Sequence, residues 1–143
     1  MTESGEKKNS ACYCINLRRA ANAVTKYYDR QLREGGLTLN QYSLLINLSR
    51  LQPASVTALA GAVKLERTTV TRNLRPLFDM GLIEDASAEG ERDRKMQLTR
   101  SGSVRIEECK KRWSRAQRKI EEALGPDSLE SLMKNLMTLE ELI

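Results

Sequence analysis

The chain has 143 residues, of which 40% are hydrophobic and 4% aromatic, and it carries a formal net charge of +5 with no histidine. The length suits a single domain, and the lack of histidine excludes Ser-His-Asp and Cys-His catalysis and the commonest metal ligand, so we expect neither an enzyme nor a cofactor or metal site. Three cysteines and no long apolar run exclude a disulfide scaffold and a membrane helix, which favours a cytoplasmic protein.

Two helices are predicted in the N-terminal third, after a polar segment at residues 1–10 that we expect to be a disordered arm. The first spans about residues 11–33, where apolar side chains recur at alternating steps of three and four, and Gly35-Gly36 ends it. The second begins after Thr38, a favourable N-cap residue, and ends before Pro53. Its predicted inward side chains are Leu39, Tyr42, Leu45, Ile46 and Leu48.

The pattern that follows predicts a short helix, a tight turn, a second helix and a two-stranded hairpin. Gly81 suits the C′ position of the second helix, where φ is positive, and Pro76 predicts a bend or a tightening in its last turn. The predicted helices cover residues 55–65 and 66–81, and the strands cover 82–85 and 95–99. The apolar stripe predicted for the core of the second helix is Val70, Leu74, Leu77 and Phe78.

The outer face of this second helix is basic and rich in threonine. Arginine binds guanine edges or phosphate through its forked guanidinium, and threonine bonds phosphate or contacts a thymine methyl group. A solvated helix face would carry charges of both signs, whereas Glu66 and Asp79 lie only at the two ends. We therefore predict a face that binds a polyanion, formed by Arg67, Thr68, Thr69, Thr71, Arg72 and Arg75.

Two further helices are predicted after the hairpin. Thr99 caps the first, in which apolar residues form a coiled-coil-like seam. Gly125-Pro126 then breaks the chain, and Asp127 or Ser128 is expected to cap a last helix with its own apolar stripe.

The charges of the chain are unevenly distributed. Residues 1–120 carry a net charge of +10, and residues 121–143 carry −5. A basic body with an acidic terminal helix indicates nucleic acid on one side and protein contact on the other.

The order and spacing of motifs across residues 59–102 resemble the MarR family of winged helix-turn-helix transcription regulators. The resemblance implies a single domain at residues 11–143, mainly α with a small β-hairpin wing. In it, residues 37–99 are the DNA-binding module and residues 11–34 and 100–143 are dimerisation helices. It also implies a homodimer that binds a palindromic operator in double-stranded DNA, as a repressor. The matching pieces are Leu59-Ala60, Arg67-Thr68-Thr69-Val70-Thr71-Arg72, Gly81-Leu82-Ile83 and Leu98-Thr99-x-x-Gly102.

The resemblance further implies a wing arginine that enters the minor groove and is oriented by an aspartate in the pattern Asp-x-Arg. The matching positions here are Gly90-Glu91-Arg92, so the arginine is kept and the aspartate is lost. Arg94 is a second candidate for the same contact. The candidates to replace the aspartate are Glu89, Glu91 and Asp93.

Members of the family often release DNA when a small aromatic anion binds between the dimerisation helices and the winged module. By position, the resemblance implies a lining of Tyr28, Tyr42 and Arg50 in this chain. The alternative is that both tyrosines belong to the core, as tyrosine at helical spacing often does.

Two other interpretations stay open. In one, the regulator senses oxidation through Cys12 and Cys14, either by oxidation of Cys12 or by its bond to a partner subunit. Sulfurs two residues apart on a helix point about 200° apart and do not easily form a disulfide with each other. The alternative to redox sensing is that both cysteines are residues of a dimer interface. In the other, the winged fold is a protein–protein adaptor, which would not need an acid-poor face of arginine and threonine.

Overall fold

The computed structural model describes residues 9–142, and in that range it contains six α-helices and three short β-strands. The predicted fold class, mainly α with a small β wing, is confirmed. Residues 1–8 of the predicted arm lie outside the described residues, whereas Ser10 already exchanges hydrogen bonds with Asn16 of the first helix. The elements are α1 (Tyr13–Leu32), α2 (Leu39–Leu51), β1 (Ala54–Ser55), α3 (Val56–Val63), α4 (Arg67–Asp79), β2 (Ile83–Asp85), β3 (Lys95–Leu98), α5 (Arg100–Leu124) and α6 (Pro126–Glu140).

A single turn of 3-10 helix, Arg33–Gly35, connects α1 to α2 and is held against α5. Gly36 ends it with a φ of 78°, which glycine adopts without strain. The Gly35 carbonyl accepts a hydrogen bond from Arg105 Nη1 at 3.2 Å, and a Cβ on Gly35 would lie 2.5 Å from Cys109 Sγ. This close approach fixes the start of α2 relative to α5.

Side-chain caps determine where three of the helices begin. Thr38 Oγ1 accepts a hydrogen bond from Gln41 N at 3.2 Å, and Gln41 Oε1 accepts one from Thr38 N at 3.0 Å, which makes a capping box for α2. Ser55 caps α3 and Thr99 caps α5, each by accepting a bond from the backbone N–H three residues on. The predicted caps at Thr38 and Thr99 are confirmed.

The segment from α3 to the wing forms the helix-turn-helix. Lys64 ends α3 with a φ of 54°, and α4 begins three residues later. After α4, Gly81 has the predicted positive φ, 71°. Its backbone N–H donates to the Phe78 carbonyl at 2.9 Å, an i to i−3 bond that tightens the end of the helix shortly after Pro76.

The core face of α4 follows the predicted stripe with one exception. Val70, Leu74 and Leu77 are buried. The prediction that Phe78 belongs to the core is wrong, because 41% of this residue is exposed. A step of one residue from Leu77 rotates the side chain by about 100° around the helix, which carries it out of the core.

The predicted two-stranded hairpin is present, and a third strand that was not predicted joins it, so the sheet has the order β1-β3-β2. β3 pairs antiparallel with β2, with Ile83 opposite Leu98, as the hairpin prediction requires. β3 also pairs antiparallel with β1, with Ala54 opposite Met96. The two-residue β1 is too short to show a strand periodicity in the sequence.

The terminal helix α6 leaves most of its large apolar side chains exposed to solvent. The prediction that Asp127 or Ser128 caps this helix is wrong, because α6 begins directly after Gly125 with Pro126 in its first turn. None of its described residues is buried. The large apolar side chains exposed on and just after α6 are Leu132, Met133, Met137, Leu139 and Leu142.

The hydrophobic core lies between α2, α3, α4, α5, the end of α1 and the sheet, and it is built mainly from leucine. Its fully buried members include Leu32, Leu45, Leu59 and Leu77. Among the described residues, no helix combines the length and the apolar character that crossing a membrane requires.

Candidate nucleic-acid interface

A groove of about 850 Å³ runs along the exposed side of α4, between this helix, the start of α3 and strand β3. Its lining combines arginine and threonine side chains with an apolar floor. Five of the six side chains predicted for the polyanion-binding face line this groove together. They are Arg67, Thr68, Thr71, Arg72 and Arg75, and the apolar lining is Val56, Leu74, Phe78 and Met96.

The three arginines of the groove carry uncompensated charge. All three are exposed, and within residues 9–142 no carboxylate forms an ion pair with Arg67, Arg72 or Arg75. The two acids nearest in sequence, Glu66 and Asp79, lie at opposite ends of α4. This face of the helix therefore presents a positive potential to a partner from solution.

Thr69, the sixth predicted side chain, is set apart from the others. It is half-buried and does not line the groove, and its carbonyl accepts a hydrogen bond from Asn73 Nδ2 at 3.0 Å. On α4 it follows Thr68 by one residue, which rotates it by about 100° toward the opposite flank.

The wing loop between β2 and β3 holds its two predicted arginines differently. Arg94 Nη2 lies 2.6 Å from Asp85 Oδ2, whereas no described carboxylate forms an ion pair with Arg92. Glu91, one of the candidates to orient Arg92, lies instead 3.9 Å from Lys95 Nζ. Neither Glu89, Glu91 nor Asp93 forms an ion pair with Arg92, so the expectation that one of them orients it is not confirmed.

Asp85 is the wing residue that the sequence interpretation missed. Its Oδ1 accepts a hydrogen bond from the backbone N–H of Ser87 at 2.7 Å, and hydrogen bonds from Ser87, together with the charge of Arg94, lower the pKa of the carboxyl group. The only signal in the sequence is an acid at the end of β2 and a base next to the start of β3, which the hairpin pairing brings together.

A second groove, of about 670 Å³, lies between α2 and α5 and contains two of the three residues predicted to line an effector site. Tyr42 and Arg50 both line it, together with Trp113 and Lys110. The Tyr42 and Trp113 rings are 6.5 Å apart between centroids, and burial raises the pKa of Tyr42, which keeps its hydroxyl neutral.

Tyr28 does not share this groove. It is buried between α1 and α5, where its hydroxyl donates a hydrogen bond to Gln117 Oε1. Burial raises its pKa, with a further contribution from Glu121. The structure thus keeps Tyr42 and Arg50 together and separates Tyr28 from them. Both tyrosines are buried, and Tyr42 also belongs to the hydrophobic core.

The three cysteines lie in two different environments. Cys12 and Cys14 are exposed at the start of α1, whereas Cys109 is buried beneath the turn after α1. Burial raises the pKa of the Cys109 thiol and makes it a poor nucleophile. Among the described residues, no cluster of three or more His, Cys, Asp or Glu side chains suits a metal ion.

Comparisons with known proteins agree with this geometry. The sequence model of the MarR family matches residues 37–88. The uncharacterized HTH-type transcriptional regulator YwoH of Bacillus subtilis is 26% identical over 92 residues, which are 64% of this chain and 67% of YwoH.

Solved structures extend the similarity over almost the whole chain. The M. tuberculosis transcriptional regulator MosR in complex with DNA is 30% identical, with a TM-score of 0.76, over 91% of this chain and 96% of MosR. The transcriptional repressor CouR bound to p-coumaroyl-CoA has a TM-score of 0.84 at 22% identity, over 92% of this chain and 94% of CouR, and this similarity shows the fold alone. The motif match, the similarity to MosR and the helix-turn-helix with its wing place this chain in the MarR family of winged helix-turn-helix transcriptional regulators.

Proposed function

We propose that this protein is a homodimeric repressor that binds a palindromic operator in double-stranded DNA and releases it when a small ligand binds. The observation that supports DNA binding is a row of three arginines, Arg67, Arg72 and Arg75, that form no ion pair with any described residue. They lie in a groove that also contains Thr68 and Thr71. A groove with this composition complements the phosphates and base edges of a duplex.

The residues of the groove take different roles in this proposal. Arg67 and Arg72, with Thr68 and Thr71, lie nearest the bases of the major groove, and Arg75 binds phosphate. Thr69, on the flank of α4, contacts the DNA backbone beside the major groove. In the wing, Arg94 and Arg92 reach the adjacent minor groove or its phosphates.

The dimer is proposed from apolar surface that the single chain leaves exposed. On α6 the exposed fractions of Met133 and Met137 are 57% and 59%, and Ile15 and Leu17 are exposed on α1. A patch of this kind marks an interaction surface. We assign residues 11–34 and 100–143 to dimerisation and residues 37–99 to DNA binding, so that two-fold symmetry sets half-sites about one helical turn apart.

The second groove is the proposed effector site. Arg50 and Lys110 supply two positive charges against the single acid of the lining, Glu107. With the aromatic wall of the Tyr42 and Trp113 rings, this groove suits a small aromatic anion. Because Trp113 is the only tryptophan of the chain, titration of aromatic carboxylates should change its fluorescence. Arg50→Ala should weaken that response, and Tyr28→Phe, outside the groove, should leave it unchanged.

The DNA-binding assignment is tested by comparing two arginine variants on a selected operator. Arg72→Ala should cost about 1–3 kcal/mol of binding free energy and relax the preference at one base position. Arg75→Ala should weaken all sequences alike and reduce the dependence of binding on salt concentration. Unchanged affinity and base preference in Arg72→Ala would contradict the role of α4.

A redox-sensing regulator is the second candidate function, and the exposure of Cys12 and Cys14 favours it. Both thiols are accessible to an oxidant in the single chain, unlike Cys109. Because they lie at the start of α1, a bond from Cys12 to a partner subunit would constrain the proposed dimerisation helices.

A further inference from the structure

The only phenylalanine of the chain lies on the proposed DNA-binding helix with its side chain outside the core. Phe78 is 41% exposed and lines the same groove as the arginines of α4. Thr71 precedes it by two helical turns and Arg75 by three residues, so all three share one side of the helix. The Phe78 ring is therefore part of the α4 face that is proposed to bind DNA.

The apolar lining of the groove beside Phe78 is Val56, Leu74 and Met96. Leu74 and Met96 are buried in the core and Val56 is half-buried, so the exposed apolar surface among the arginines is mainly that of Phe78. Phosphates and guanine edges are bound by charge and hydrogen bonds, and they do not account for apolar surface among the arginines. In the major groove of DNA, the apolar group available to a protein is the 5-methyl group of thymine, which side chains such as phenylalanine contact. The charge of the three arginines complements DNA, and the exposed ring of Phe78 among them complements a thymine methyl group.

We propose that Phe78 is a specificity-determining residue that contacts the 5-methyl group of a thymine in each half-site of the operator. This inference rests on the proposed function, because it requires α4 to lie in the major groove. It adds an apolar contact to the polar contacts of Arg67 and Arg72.

The test uses full-length protein and an operator recovered by selection, in which each thymine is replaced in turn by deoxyuridine. This replacement removes only the methyl group. At one thymine of the half-site, the affinity of the wild-type protein should fall about 4-fold, and replacement in both half-sites should lower it about 15-fold, as expected for loss of one and two buried methyl groups. Phe78→Ala should bind the original operator more weakly and should not distinguish thymine from deoxyuridine at that position.

A matched control separates this contact from a general effect on the end of α4. Met80 is also an exposed apolar residue, at 38%, and lies two residues further along the chain, but it does not line the groove. Met80→Ala should keep the full sensitivity to deoxyuridine. Phe78→Leu, which retains apolar surface, should keep part of it.

The outcomes distinguish the inference from the function on which it rests. If the wild-type protein binds no duplex, the proposed function fails, and the inference fails with it. If it binds its operator but no thymine is sensitive, or if Phe78→Ala remains as sensitive as the wild type, the inference is wrong and the proposed function stands. Phe78→Gln provides the same test if the alanine variant does not fold, which thermal unfolding followed by circular dichroism would reveal.

Discussion

Asp85 and Arg94 face each other across the base of the wing, with 2.6 Å between Asp85 Oδ2 and Arg94 Nη2. The second carboxylate oxygen accepts a hydrogen bond from Ser87 N, and hydrogen bonds from Ser87, followed by the charge of Arg94, lower the pKa of Asp85 from its ordinary value of 3.8. Because a lowered pKa favours the ionised form, the carboxylate stays charged at neutral pH and loses this pairing only in acid. Asp85, the last residue of β2, therefore positions Arg94 from outside the wing loop.

Asp85→Asn should lower operator affinity several-fold, because the variant keeps the size of the side chain but releases Arg94. The free energy of unfolding should change little, since both side chains are exposed. Fluorescence anisotropy with labelled operator measures the affinity, and Glu89→Gln, which alters a wing acid without a described cation partner, is the control. Equal affinities of Asp85→Asn and the wild type would show that the orientation of Arg94 does not matter for binding.

Gly102→Ala should lower the free energy of unfolding by about 1–3 kcal/mol, because the position has no room for a side chain. A Cβ at Gly102 would overlap the Leu82 carbonyl oxygen, where α5 meets the entry to the wing. Gly61→Ala in α3 is the matched control: nothing lies within 4 Å of that position, and the change should stabilise the helix by about 0.5–1 kcal/mol. Urea unfolding measures both variants, and an unaltered midpoint for Gly102→Ala would contradict this contact.

The double variant Met133→Glu, Met137→Glu should be a monomer at micromolar concentration, because it places two charges on the exposed apolar side of α6. Ser131→Glu, on the opposite side of the same helix, should remain a dimer. Light scattering gives the mass of each protein directly. A monomeric wild type, or a double variant that stays dimeric, would contradict the proposed role of α6.

Peroxide should lower the operator affinity of the wild type, and Cys12→Ser should abolish this response, if the protein senses oxidation. Under native conditions, alkylation followed by mass spectrometry should modify Cys12 and Cys14 but not the buried Cys109. A wild type and a Cys12→Ser variant with equal affinities, with and without peroxide, would eliminate the redox alternative.

The parts of the fold that follow local rules were predictable from the sequence. Thr38 and Thr99 cap helices because the backbone N–H groups they satisfy are three residues away, and Gly81 supplies a positive φ directly after α4. The common groove of Arg67, Arg72 and Arg75 was predictable for the same reason, since one helix positions all three.

The features that the sequence interpretation missed depend on contacts between distant segments. Strand β1 exists only because Ala54 meets Met96 across more than forty residues, and Asp85 meets Arg94 only when the hairpin closes. The direction of Phe78 was missed because an apolar residue at the edge of a helical stripe can turn either way, and the neighbouring element decides. Tyr28 and Tyr42 both fall at helical spacing in the sequence. They lie in different places because Tyr28 packs beside Gln117 of α5 and Tyr42 beside Trp113.

Operator selection tests whether α4 reads DNA sequence as part of a dimer. Purified protein is mixed with a random duplex pool, and the bound fraction is sequenced after selection at two salt concentrations. We predict a palindrome with half-sites about one helical turn apart, retained at the higher salt concentration. Enrichment without a common motif, or no retention of duplex at low salt, would contradict sequence-specific binding by this protein.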